Sequence, residues 1–171
     1  YNKLDQFIML PMQSTAMAAT TFVSQNVGAK QYGRANRGTR DTILLSVGIT
    51  AVIAVALYVF AAPAVRLFSK DASVIEFGVL FLRANTFFLL CNCVNHTLAG
   101  ALRGRGDSRA PMLIMIGCFV ALRQVYLFVV TRFVANTPLL VGLGYPVGWV
   151  SCCIIEVAYY FTHWNRRPEA A

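Results

Sequence analysis

Five long apolar stretches run through this chain, separated only by short polar joints. They cover roughly residues 5–28, 42–62, 73–102, 111–132 and 141–164. The hydrocarbon core of a bilayer is about 30 Å thick, and about 20 helical residues cross it. Each stretch is long enough. The runs are too long for membrane-spanning strands and none alternates with period two, so helices are expected. The expected fold is therefore all-α, a polytopic membrane bundle of five transmembrane helices. Composition agrees: 57% of the residues are hydrophobic and 13% charged, against roughly 45–50% and about 25% in a soluble domain. Too little polar surface remains to coat a soluble globule. Pro63 is expected to stop the second helix. Pro111 fits the first turn of the fourth, where its missing N–H costs nothing.

The net charge is +8, from 15 Lys and Arg against 7 Asp and Glu. In a soluble protein that excess would suggest nucleic acid. Here the charges sit in the joints, so the partner they imply is the anionic lipid bilayer and not nucleic acid. One side of the alternating spans holds Lys30, Arg34, Arg37, Arg40, Arg103, Arg105, Arg109, Arg166 and Arg167. The other holds Lys3, Arg66, Lys70 and Arg132. Nine against four sets the richer side in the cytoplasm, together with the C-terminus. Ala35 and Ser108 are then cytoplasmic joint residues, and Ala72 lies outside. The chain opens "YNKLDQF", without Met or a signal peptide, and is read as a fragment whose N-terminal part is missing. Its five cysteines all lie in apolar runs and are read as packing residues, with no metal site.

Ionisable and amide side chains at bilayer depth are costly and usually face a bundle interior or a wet cavity. Gln6, Gln13, Thr20 and Ser24 share one face of the first helix, which Pro11 interrupts. In the third, Asn85, Asn92 and His96 fall within about 40° of one another at 100° per residue, with Asn95 nearby. Arg123 and Gln124 lie near the middle of the fourth helix, and Arg123 shares a side with Phe119 and Tyr126. Glu156 lies in the fifth on a face with Trp149, Cys152, Tyr160 and His163. Some of these residues serve as helix glue. Four stripes on five helices exceed what packing needs and suggest an internal path for a polar or cationic solute. Glu156 has two readings: an ion pair with Arg123, or a cation site in a wet cavity. No catalytic serine cluster, HExxH or nucleotide loop is present, so the chain is not read as an enzyme.

Two segments carry a resemblance. "TTFVSQNVGAKQYGRANRGTR" closes one helix with Gln25, Asn26, Gly28 and Ala29 and enters a basic joint. "LAGALRGRGDSRAPM" closes another with Gly100, Leu102, Arg103, Gly104, Gly106 and Asp107, then Pro111. Both, at this separation, resemble the MATE (multidrug and toxic compound extrusion) family of secondary transporters. The resemblance implies a twelve-helix protein in two six-helix lobes. Residues 1–171 would be part of the second lobe, helices eight to twelve, and the partner would be the missing N-terminal lobe of the same chain. It implies antiport across the plasma membrane, in a bacterium the cytoplasmic membrane. Cationic, often aromatic, small molecules would leave in exchange for Na⁺ or H⁺, with no other cofactor. The path would involve Gln13, Asn85, Asn92, His96, Arg123, Glu156 and Tyr160. Some members carry a carboxylate where this chain has Asn92, and an amide cannot take up a proton near neutral pH. The alternatives are a lipid-linked oligosaccharide flippase of the same superfamily and a non-transport membrane assembly protein.

Overall fold

The computed structural model describes residues 2–66, 71–134, 140 and 142–164, which contain helices and turns and no strand. Helix α1 spans Asn2–Gly28, with Pro11 inside it. After a short turn, α2 runs Tyr32–Val59 and α3 runs Ala61–Arg66. Then come α4 (Ala72–Thr86) and α5 (Leu89–Gly104). A second tight joint leads into α6 (Arg109–Ile116), a π-wound stretch Gly117–Leu122, α7 (Arg123–Val129) and a second π stretch Val130–Val134, together one continuous rod. Helix α8 (Gly144–Tyr159) ends in the π turn Tyr160–Trp164.

Three expectations are corrected. The second helix begins at Tyr32, not near residue 42, so Arg34, Arg37 and Arg40 occupy its first turns rather than a loop. Long basic side chains can stay on a helix at the membrane edge and reach outward to water. Pro63 does not stop that helix, which ends at Val59; it sits in the first turn of α3. The expected span 73–102 is broken at Phe87–Phe88 into α4 and α5, which meet at a bend of 50°. Polar side chains fold back on the backbone at the break. Asn85 Nδ2 donates to Phe81 O at 2.9 Å and Thr86 Oγ1 to Leu82 O at 2.7 Å, competing with the helical ladder. The Phe88 N–H then bonds back to Asn85 O, three residues earlier.

By length and composition, α2 and the rod Arg109–Phe133 can each cross a membrane, and α4 with α5 adds a third span if the bent pair is one. Helix α1 is long but richer in polar groups, and α8 has only 16 residues before its π turn. With α2 and α3, α4 and α5, and the stretch 109–134 each taken together, the described residues form five helical rods. The expected start of the fifth, Val141, and the cations Lys70, Arg166 and Arg167 lie outside the described residues.

The core is built on α5, which packs against α1, α2 and α8. Lipid tails are as apolar as leucine, so packing and interhelical hydrogen bonds hold membrane helices together. Gly100 and Gly104 stand one turn apart on the α5 face toward α1. A Cβ on Gly100 would lie 2.4 Å from Ala16 O, and one on Gly104 would lie 2.6 Å from Thr20 O. The missing side chains let the two backbones touch. Thr20 Oγ1 uses that contact to donate to Gly100 O at 2.9 Å.

Ala35 is 1% exposed, packed with Val23 and Ala101, and so is not a loop residue. The topology is better tested at Ser108 and Asp71, both exposed. In a variant lacking the native cysteines, Ser108→Cys should react with a membrane-impermeant maleimide only from the cytoplasm and Asp71→Cys only from outside. Labelling of both from one side would refute an odd number of crossings between them.

Candidate ion and substrate path

Both joints that carry the family-like motifs are closed by the same device. After α5, Gly106 adopts φ +88°, its N–H bonds to Arg103 O, and Asp107 N–H bonds to Leu102 O. After α1 the left-handed residue is Lys30 (φ 58°), not Gly28; Lys30 N–H bonds to Val27 O and Gln31 N–H to Asn26 O. These paired bonds satisfy carbonyls that the helix end leaves over. Asn26 is buried and donates to Phe22 O, while Gln25 and Gly28 are exposed. Arg103 is also exposed.

Asp107, whose place among arginines has no explanation in the sequence, ties the second joint to α8. Its Oδ1 accepts the otherwise free Ala110 N–H at the start of α6, and its Oδ2 accepts the Tyr159 hydroxyl at 2.6 Å. Beside it, Arg105 donates to Asn36 Oδ1 and, at 2.8 Å, to the Tyr160 hydroxyl, and its guanidinium stands 4.8 Å from the centre of the Tyr160 ring. Tyr160 therefore serves α2, the joint and α8 together.

The interior of α5 carries the amides. Asn92 is 1% exposed and donates to Met9 Sδ of α1 at 3.6 Å. Asn95 is fully buried; its Nδ2 donates to Trp149 O of α8 at 3.0 Å, and its Oδ1 has no partner. His96 is half-buried. Asn85 lies beyond the bend on α4, with its Oδ1 also unpartnered, so the expected stripe is split between two helices. On α1, Gln13 and Ser24 are exposed, whereas Met12, Ala16, Ala19 and Val23 face the core. Gln6 belongs to the residues whose side chains are not described.

Glu156 is 0% exposed, and neither carboxylate oxygen has a hydrogen-bond partner. The expected ion pair with Arg123 is absent. Arg123 instead places its guanidinium 3.8 Å from the centre of the Tyr145 ring. Tyr145 stands three turns before Glu156, about 16 Å along α8 at 1.5 Å per residue, beyond the reach of an arginine held there. Cys152 lies one turn before Glu156 and Cys118 on the neighbouring rod; both are buried free thiols. His163 is exposed and stacks on Tyr159, with ring centres 4.4 Å apart.

A polar network that the sequence does not announce holds α1, α2 and α5 together. Thr15 Oγ1 and Ser46 Oγ lie 2.9 Å apart, Ser46 Oγ meets Cys93 Sγ at 2.8 Å, and Thr97 Oγ1 donates to Ser46 Oγ at 3.2 Å. Small hydroxyl residues at helical spacing were the available signal. Among the described residues no cluster of three or more His, Cys, Asp or Glu is placed to hold a metal.

Comparison with known proteins fits this arrangement. A probable multidrug resistance protein YoeA of Bacillus subtilis (strain 168) is 23% identical over 97% of this chain and 36% of its own length. A probable multidrug resistance protein NorM of Halalkalibacterium halodurans is 29% identical over 95% of this chain and 35% of its own length. The chain thus spans about a third of the length of these relatives. Among solved structures, a MATE in complex with MaL6 superposes with a TM-score of 0.85 at 14% identity, over 94% of this chain and 36% of that one. An inward-facing multidrug resistance MATE family transporter of the MOP superfamily gives 0.75 at 18%, over 91% and 35%. These likenesses show the fold. The MatE family model matches residues 1–129, three quarters of the sequence, and the chain belongs to the MatE family.

Proposed function

We propose that this chain forms part of the C-terminal lobe of a cation-coupled antiporter that exports cationic organic compounds across the plasma membrane, with its C-terminus in the cytoplasm. The observation that carries the reading is Glu156. A carboxylate at bilayer depth costs about 3 kcal/mol on insertion scales unless something offsets it. Here the offset is neither an ion pair nor a hydrogen bond within the described residues, and Arg103 acts on the carboxylate only through space. A proton, Na⁺ or a cationic substrate supplies the rest. Asn95 and Asn85, each with an unpartnered carbonyl oxygen, offer further acceptors to such a solute. The exposed polar face of α1, with Gln13 and Ser24, is the natural wall toward the rest of a longer transporter. Membership of the MatE family and the likeness to multidrug resistance proteins support the same reading.

Asn92 tests the path away from the charge. In the full-length protein, Asn92→Leu should lower efflux of a fluorescent cationic dye at least several-fold, with the amount of membrane-inserted protein close to that of the parent. Unchanged efflux would reduce Asn92 to a packing contact with Met9.

A further inference from the structure

One cleft of about 500 Å³, which Glu156 does not line, lies between the first half of α2, the middle of α5 and the end of α8. Its walls divide by chemistry. Ile43, Leu98, Val157 and Phe161 supply an apolar lining. At the mouth stand Arg37 and Arg40, one turn apart on α2, both exposed and neither bonded to another described side chain. Arg105 adds a third guanidinium just behind, fixed through Asn36 and Tyr160, which also line the cleft. None of the lining residues is acidic.

We propose that this cleft binds an anionic phospholipid, its phosphate at Arg37 and Arg40 and an acyl chain along Ile43, Leu98 and Val157. The site opens at the level of the two basic joints, which the charge distribution sets at the cytoplasmic surface. Basic pockets between helices at that surface hold acidic headgroups. Guanidinium matches phosphate through paired N–H donors, which a zwitterionic lipid also meets, but its choline cation would face the same arginines. Charge therefore selects for net-negative lipids. Because α2, α5 and α8 all contribute, the lipid would brace the joint end of the bundle. The inference needs only insertion in a bilayer and is independent of what the protein transports.

The test uses the full-length protein in nanodiscs of equal phosphatidylglycerol and phosphatidylcholine. Native mass spectrometry then counts lipids retained after mild delipidation. The parent should retain phosphatidylglycerol over phosphatidylcholine by about tenfold. The double variant Arg37→Gln/Arg40→Gln should lose that preference, while Arg132→Gln, an exposed cation outside the cleft, keeps it. Val157→Trp fills the apolar end, leaves both arginines in place and should lower retention of phosphatidylglycerol. It also decides the matter if the double variant fails to fold. A parent without preference, a preference that survives the double variant, or a Val157→Trp protein that retains the lipid as the parent does would each overturn the proposal. So would a crosslink from Leu98→Cys to another helix of the same chain filling the cleft.

Discussion

Gly100→Ala should sharply lower the amount of folded protein, although alanine is the better helix former. In an open helix that exchange favours the fold by about 0.8–1.0 kcal/mol. At Gly100 the new Cβ meets the Ala16 carbonyl oxygen at 2.4 Å, and the obstacle is backbone, which no rotamer change removes. The α1 and α5 helices must separate. That forfeits packing worth about 1–3 kcal/mol for one excess methyl group and stretches the hydrogen bond from Thr20 to Gly100. The steric loss exceeds the propensity gain. Gly48 is the control: it lies in α2, is exposed, and a methyl group there would meet nothing within 4 Å. Fluorescence-detected size exclusion of the full-length protein should show Gly48→Ala at or above the parent and Gly100→Ala well below it, with a lower melting temperature. Equal stability of the two would mean that α1 and α5 do not touch at Gly100.

Helices were legible in the sequence because the bilayer asks one simple thing of a segment, an apolar length. Their joints were harder to place. Arg34, Arg37 and Arg40 look like a loop in composition, yet arginine is a good helix former and reaches water from a helix end. The bend at Phe87–Phe88 has no proline or glycine to announce it. Asn85 and Thr86 bond back to their own backbone there, but Thr39 and Thr42 do the same inside the unbroken α2, so no residue type marks the bend. The face of the fourth helix persists across its π-wound stretch Gly117–Leu122: Phe119 approaches Gly148, Tyr126 approaches Gly144 and Arg123 covers the Tyr145 ring, all on α8. Position along the helix was the part not legible, since Arg123 meets α8 about 16 Å from Glu156. The glycines of the two joint motifs, by contrast, divide by role only in three dimensions. Gly106 makes a left-handed turn, Gly100 and Gly104 make a helix contact, and in the first joint the turn falls on Lys30.

Glu156→Gln separates the two meanings of a buried acid. An acid paired in the fold leaves its partner stranded when neutralised, and such losses run to about 3–5 kcal/mol. An acid kept for a mobile cation has no partner to strand, and losing its charge relieves desolvation. The amide has nearly the same shape, so the packing around the buried side chain is preserved. Folded Glu156→Gln protein is therefore expected in amounts equal to or above the parent, with no further gain on adding Arg123→Gln. Transport is expected to move the other way. The decisive measurement is efflux of a fluorescent cationic dye from proteoliposomes holding equal amounts of folded full-length parent or Glu156→Gln protein, driven by a proton or Na⁺ gradient. A cation site at Glu156 predicts a fall of at least tenfold for Glu156→Gln under whichever gradient drives the parent. Efflux at the parent rate from a stable Glu156→Gln protein would contradict it.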